Sequence, residues 1–161
     1  MKKFEILKLL DEYAAQSNCK KKGVASILLK DGEPVNYGIN EVMLPTTKRN
    51  CELCATRQHK SELSLCPAIH AEVACLSTAD LSIEGNYSLV VSYSPCYDCC
   101  KLIMSLPDIT TIYVTEPKKS EISENDKRNY GVSTYDEVAD MLLAGRNYIR
   151  LWMMPDDFEV I

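Results

Sequence analysis

The apolar and polar positions of this chain follow two periods, one helical and one extended. Residues 3–16 place apolar side chains at helical spacing against acidic ones, which is typical of an amphipathic surface helix. Residues 24–30 and 34–40 favour two antiparallel strands, because Asp31-Gly32 between them is a strong signal for a two-residue hairpin turn. The first quarter of the chain therefore predicts a helix followed by a hairpin.

The remainder of the chain alternates between helical and extended segments. Helices are predicted over residues 68–79, 97–106 and 134–143, and strands over residues 87–93, 109–116 and 149–154. The polar segment 117–132 is predicted to be a loop. Alternation of this kind favours an α/β fold, a three-layer α/β/α sandwich around a mixed sheet of about five strands.

Length and charge narrow the function classes. The 161 residues, 46% hydrophobic and 25% charged, fit a single domain over 1–161. Acidic residues interrupt the apolar N-terminus, and no stretch is long and apolar enough to span a bilayer, so we expect a cytoplasmic protein without membrane association. The net charge of −5 weighs against a nucleic-acid partner but is compatible with a small nucleotide.

Eight cysteines are many for a chain with no export signal, since clustered cytosolic thiols more often bind metal than form disulfides. Two of them, Cys19 and Cys75, stand apart. The others fall in two groups, Cys51, Cys54 and Cys66, and Cys96, Cys99 and Cys100.

The second group belongs to a spaced pattern. His70 and Glu72 are separated by one residue, and Pro95-Cys96 and Cys99 follow after twenty-two more. H-x-E followed by P-C-x-x-C is the signature of zinc nucleobase deaminases. One imidazole (His70) and two thiolates (Cys96, Cys99) leave the fourth position of a tetrahedral zinc open for water, while Glu72 can shuttle protons. Alone, H-x-E could be an accident, and C-x-x-C could be a redox motif or half of a structural metal site. In this order the two motifs predict a catalytic zinc centre.

At these residues the sequence resembles the deoxycytidylate deaminase family, within the cytidine deaminase-like fold, over about residues 19–114. The resemblance is carried by IHAEVACL (69–76), SPCYDCCKLIMS (94–105) and YGIN (37–40). It implies a zinc enzyme that hydrolyses a deoxycytidylate-like nucleotide (dCMP to dUMP and ammonia) in pyrimidine deoxynucleotide metabolism. It also implies a homo-oligomer, with a hexamer as one form, and a deoxynucleoside triphosphate (dNTP) effector whose site no residue assigns.

The resemblance further implies three substrate contacts. Asn40 would bond the sugar 3′-hydroxyl, the Ala71 backbone N–H the base carbonyl, and the Ser94 backbone carbonyl the amino group. For Asn40 the alternative is an asparagine that simply ends a strand at a turn.

The sequence also departs from the family. Glu41 follows Asn40 where relatives usually have glycine, and Ala74-Cys75-Leu76 replaces their Asn-Ala-Ile. Residues 77–85 lack an arginine that some relatives place near the phosphate. A nucleoside or a modified cytosine nucleotide therefore remains an alternative substrate.

Residues 41–67 have no sustained period, and a loop of that length inside a compact domain needs something to hold it. It carries four zinc-type ligands, Cys51, Cys54, His59 and Cys66. Their spacing predicts a closed structural zinc site, with free thiols in a loop as the alternative. By the family resemblance, Cys19 could replace one of the four. Cys75 and Cys100 are expected in the core.

Two competing functions stay open. A polynucleotide-editing cytidine deaminase shares both motifs but needs a basic, aromatic channel, which the net charge disfavours. A non-catalytic zinc module for binding or assembly would have no need of Glu72 beside an open metal position.

The run Lys20-Lys21-Lys22 is expected to be solvated, with phosphate binding as its alternative.

Overall fold

A mixed five-stranded sheet forms the centre of the molecule, with helices on both faces. The structure is a computed structural model and describes residues 1–19, 22–42, 68–117 and 135–161. The sheet has the order β2-β1-β5-β6-β7. Its strands are β1 (Ala25–Lys30), β2 (Glu33–Ile39), β5 (Tyr87–Tyr93), β6 (Ile109–Glu116) and β7 (Asn147–Arg150). Two short strands, β3 (Glu41–Val42) and β4 (Ala68–Ile69), pair separately.

The described helices are α1 (Lys3–Ala14), α2 (Ala71–Ser77), α3 (Tyr97–Met104) and α4 (Tyr135–Leu142). Strand β1 pairs antiparallel with both β2 and β5, whereas β5, β6 and β7 run parallel. The predicted hairpin is confirmed. Asp31 and Gly32 have φ angles of 49° and 81°, the two positive values that a type I′ turn requires.

Strand β1 shows how the sequence pattern builds three layers, because successive side chains on a strand point to opposite faces. Ile27 and Leu29 are fully buried against Ile6 and Leu10 of α1. Leu28, between them, belongs to the other core cluster, which includes Cys75 and residues of α3, α4, β5 and β6. The predicted α/β/α arrangement is therefore confirmed.

Two predicted elements were wrong in extent. The strand predicted over residues 149–154 ends at Arg150, and Leu151–Met153 form a 3₁₀ turn that buries Leu151 and leaves Met153 exposed. The helix predicted over residues 68–79 is shorter, because Ala68–Ile69 pair with β3 before the helix begins. An unbroken apolar run does not distinguish strand from turn or helix by periodicity.

The approach of β2 to α2 depends on Gly38. A Cβ atom at Gly38 would collide with the backbone nitrogen of Cys75 and the carbonyl oxygen of Ala71. The missing side chain lets the strand lie directly on the helix backbone. Helix α2 follows His70 and carries Glu72, so this contact sets the position of one side of the candidate site.

Among the described helices, none is long and apolar enough to cross a membrane.

Candidate active site

The three predicted catalytic-zinc ligands converge at the starts of two helices. His70 is the N-cap residue of α2, Cys96 is the N-cap residue of α3, and Cys99 lies three residues further along α3. The Nδ1 atom of His70 lies 3.3 Å from Sγ of Cys99 and 3.4 Å from Sγ of Cys96. All three donor atoms lie within 4.8 Å of one another.

This spacing fits a zinc ion. Zinc–nitrogen and zinc–sulfur bonds in a tetrahedral site place neighbouring N and S ligand atoms about 3.6 Å apart. The observed nitrogen–sulfur separations of 3.3 and 3.4 Å are close to that value. One imidazole and two thiols are also a donor set that zinc favours, and three protein ligands leave one position for a water or substrate atom.

The two thiols influence each other's ionisation. A hydrogen bond from the Cys99 thiol, aided by His70, lowers the pKa of Cys96 to about 3. The same interaction, with burial and the nearby Glu72 carboxylate, raises the pKa of Cys99. In the absence of a cation the two neighbouring thiols therefore favour a single shared negative charge over two. A bound dication stabilises both thiolates, since a coordinating thiol is deprotonated.

Glu72 lies beside the thiols in the first turn of α2. The residue is 6% exposed, and its carboxylate lies near enough to the Cys99 thiol to contribute to that thiol's raised pKa. It is not part of the compact group of donor atoms formed by the His70 and Cys96–Cys99 side chains. A buried carboxylate next to a three-ligand metal group is suited to move protons rather than to close the coordination sphere.

The predicted sugar contact, Asn40, is engaged with a neighbouring loop. Its Oδ1 accepts hydrogen bonds of 2.7 Å from the Ser17 hydroxyl and from the Val24 N–H. Its Nδ2 donates to the Lys22 carbonyl at 2.8 Å. The ammonium of Lys22 lies 4.0 Å from the ring centroid of Tyr93. Asn40 thus organises the loop before β1, and its contact with a sugar stays a prediction.

The other two predicted substrate contacts, Ala71 and Ser94, are both buried. Ala71 separates His70 from Glu72 in the sequence, and Ser94 follows β5 and precedes Pro95. Ser94 lies in a polar network that the sequence analysis missed. The Ser94 hydroxyl is 3.2 Å from Oδ1 of Asp136, which also accepts from the Tyr148 hydroxyl at 2.9 Å. Arg150 Nε donates to Oδ2 of the same carboxylate at 2.9 Å.

One signal for this network was present in the sequence. Tyr148 and Arg150 are two residues apart, so on a strand they share a face. Their meeting with Asp136 of α4 depends on tertiary packing, which periodicity does not show. Burial is the main cause that raises the pKa of the Tyr148 phenol, so this hydroxyl stays a proton donor.

The predicted loop ligands, Cys51, Cys54, His59 and Cys66, lie outside the described residues. Cys19, offered as a substitute, is half-buried and within the described part. Cys75 and Cys100 are fully buried, as expected for core thiols, and burial raises the pKa of each to about 12.

A mixed α/β sandwich with one imidazole and two thiols at adjacent helix starts defines the class of zinc-dependent hydrolytic deaminases. The model of the "Cytidine and deoxycytidylate deaminase zinc-binding region" matches residues 2–116. The chain therefore belongs to the cytidine and deoxycytidylate deaminase family.

A curated relative is the deoxycytidylate deaminase of Mycobacterium phage D29. It is 28% identical over 116 residues, which cover 66% of this chain and 87% of the relative.

Solved structures support the fold. The dCMP deaminase of cyanophage S-TIM5, in complex with dCMP and dUMP, has a TM-score of 0.59 and 23% identity, covering 89% of this chain and 92% of that one. RibD from Acinetobacter baumannii has a TM-score of 0.55 and 15% identity, covering 91% of this chain and 34% of that one. Both share the α/β architecture of this chain.

Proposed function

We propose that this enzyme hydrolyses the bond between the ring carbon and the amino group of a deoxycytidylate-like nucleotide, converting dCMP and water to dUMP and ammonia. The observation that carries the proposal is the convergence of His70, Cys96 and Cys99 with the buried carboxylate of Glu72 beside them. Zinc held by the three ligands would supply a water activated for attack near neutral pH.

The chain's own residues would handle the protons. The Glu72 carboxylate would accept a proton from the water and deliver it to the ring nitrogen. It would then take the remaining proton from the hydroxyl group added to the ring carbon and pass it to the amino group, which leaves as ammonia while that hydroxyl becomes the product carbonyl. The burial of Glu72 also limits exchange of the proton with bulk water.

The pyrimidine ring would lie between α2 and the end of β5. The Ala71 N–H would donate to the base carbonyl, and the Ser94 carbonyl would accept from the amino group. Asn40 would reach the sugar. These three contacts follow from the family resemblance. The position of Ala71 directly after His70, and of Ser94 two residues before Cys96, supports the first two.

A monophosphate substrate is supported by the phage D29 relative, which is named a deoxycytidylate deaminase. The departures at Glu41 and residues 74–76, together with the missing arginine in residues 77–85, keep a modified cytosine nucleotide or a nucleoside as the alternative. We further propose that residues 1–161 form a single domain and that the enzyme is a cytoplasmic homo-oligomer. It would respond to a dNTP effector and bind a second zinc through residues 41–67.

The test is a substrate panel with zinc-loaded protein. dCMP, 5-substituted dCMP, dCTP, deoxycytidine, cytosine and a single-stranded oligonucleotide are each assayed by loss of cytosine absorbance. Glu72→Gln should lower kcat on the preferred substrate by about 10²–10⁴-fold, the usual contribution of a general acid/base, while retaining zinc. Glu84→Gln, at an exposed position, is the matched control and should keep full activity.

Turnover of dCMP that is lost in Glu72→Gln would support the proposal. Turnover of the oligonucleotide alone would replace it with an editing deaminase. Zinc-loaded protein that is silent on the whole panel, with and without added dNTP, would contradict it.

A further inference from the structure

Ser94 lies where a small displacement of the backbone would move both the predicted base contact and the segment that carries Cys96. It follows the carboxyl end of β5 and precedes Pro95-Cys96, so it links the central sheet to a metal ligand. Its N–H donates to the Glu116 carbonyl at 3.1 Å, which extends the β5–β6 pairing by one residue. In open α/β sheets ligands bind at the carboxyl edge of parallel strands.

The side chain of Ser94 is fixed from the C-terminal part of the fold. Its hydroxyl contacts Asp136 of α4 at 3.2 Å and Tyr148 of β7 at 3.4 Å. The Asp136 side chain is only 14% exposed, and Arg150 neutralises its charge through the Nε contact. Arg150 also contacts Asp140 at 3.3 Å, and its guanidinium lies 5.3 Å from the centroid of the Tyr148 ring.

The side chains of Ser94, Asp136, Tyr148 and Arg150 form a network in which each is hydrogen-bonded to at least one of the others. Oδ1 of Asp136 accepts from two hydroxyls, and Oδ2 accepts from Arg150. Ser94 is buried and its three partners in the network are half-buried. A polar network whose members are satisfied rigidifies its surroundings and selects one geometry. None of its residues belongs to the metal-ligand group, so its constraint acts on the segment that leads into that group.

We infer that Asp136, Tyr148 and Arg150 are positioning residues that hold Ser94 in the orientation needed for binding the substrate base. This inference rests on the proposed function. The three side chains act through Ser94 and need not touch the substrate. The zinc ligands keep a separate support, since the Cys100 N–H donates to the Cys96 carbonyl at the start of α3.

The test variant is Tyr148→Phe, which removes one hydroxyl and keeps the ring. We expect kcat/KM for dCMP to fall about tenfold, with the zinc content per chain unchanged. We also expect faster hydrogen exchange in peptides that span the end of β5 and the start of α3. Tyr113→Phe is the matched control, because this buried hydroxyl contacts the Ile161 backbone on the opposite side of the sheet.

Asp136→Asn provides a second variant if Tyr148→Phe folds poorly. It keeps the shape of the side chain but loses the charge pair with Arg150, and it should show the same fall in kcat/KM. Unchanged kcat and KM in a variant with faster exchange would reduce the network to a structural role and overturn the inference. Loss of zinc in parallel with activity would also overturn it.

The two proposals fail in different ways. Absence of turnover by the unmodified protein on every substrate contradicts the proposed function. Unchanged hydrogen exchange in both variants contradicts the positioning network, whatever the substrate.

Discussion

Neighbouring cysteines in α3 have different surroundings. Cys99 faces His70 and Cys96, whereas the Cys100 thiol contacts the carbonyl of Pro95 at 3.7 Å within the core. Both are buried, and the sequence alone separates them only by the spacing from Cys96. A helix turns by about 100° per residue, so the adjacent side chains of Cys99 and Cys100 point to different sides of α3.

Replacing each cysteine with serine should separate these roles. Cys99→Ser should lose one equivalent of zinc per chain and about a hundredfold or more of activity, because a ligand thiolate is removed. Cys100→Ser should keep its zinc and lose only stability. Metal analysis by mass spectrometry with parallel assays measures both. Equal zinc loss in the two variants would contradict the ligand assignment.

The raised pKa of Cys75 makes stability sensitive to alkali. The folded value is about 12, above the value of about 8.5 for an unfolded cysteine, so between these pH values the folded chain binds the extra proton. The free energy of unfolding should therefore fall as pH rises above about 8.5, by up to ~1.4 kcal/mol per pH unit from this thiol.

Urea unfolding at several pH values from 8 to 10.5 tests this sign. Cys75→Ala should show a shallower fall in unfolding free energy with pH than the unmodified chain. Leu76→Ala, the next buried side chain of the same helix, removes core volume without a titrating group and should keep the original slope. Identical slopes for Cys75→Ala and the unmodified chain would contradict the assignment.

At the residue scale, sequence spacing predicted the His70, Cys96 and Cys99 side chains that the structure brings together. It could do so because ligand chemistry restricts which residue types can bind a metal at a given separation. It did not identify Asp136, Tyr148 and Arg150. These residues come together through the packing of α4 on β7, and their types are common on exposed helices and strands.

At the scale of elements, the contact between β2 and α2 has the strictest steric requirement. Gly38 leaves no room for a side chain against the backbone of Ala71 and Cys75. The helix on the other side of this contact carries the candidate catalytic carboxylate. Strand and helix must therefore keep their separation for the site to keep its shape.

Gly38→Ala should lower stability by about 1–3 kcal/mol, the usual cost of overpacking, and should lower kcat as α2 moves away. Gly85→Ala is the control, because an added Cβ there meets the flexible side chain of Lys30. Urea denaturation and steady-state kinetics measure the two effects. Full activity in Gly38→Ala would show that α2 tolerates the displacement.

Hydrophobic periodicity predicted the main strands and helices to within a few residues, since half-buried elements leave a clear pattern. The prediction failed for short segments whose structure is set by packing against distant parts of the chain. Leu151 packs on the α1 side of the sheet from a 3₁₀ turn, and the β3–β4 pair is only two residues long in each strand.

At the scale of the whole molecule, two segments brought together by the fold would share one metal, and a separate loop would hold another. The segment between β3 and β4 carries Cys51, Cys54, His59 and Cys66, which lie outside the described residues. If it binds zinc as proposed, it fixes the chain that leads directly into His70.

Metal stoichiometry should reveal this second ion. The unmodified chain should bind two equivalents of zinc, and Cys54→Ser should bind one while retaining much of its activity. Cys19→Ser, assayed beside it, should keep both ions unless Cys19 replaces one of the four ligands. A single equivalent in the unmodified protein, lost only in Cys99→Ser, would contradict the loop site.

The proposed zinc ligands flank β5 in the sequence, with His70 before the strand and Cys96 after it. An ion held by both would close a loop of 26 residues and bind the native chain far more tightly than the unfolded one. Zinc supply would then govern the abundance of the enzyme as well as its activity, because metal-free chains open more often and are degraded. Faster proteolysis after addition of a chelator would reveal this dependence.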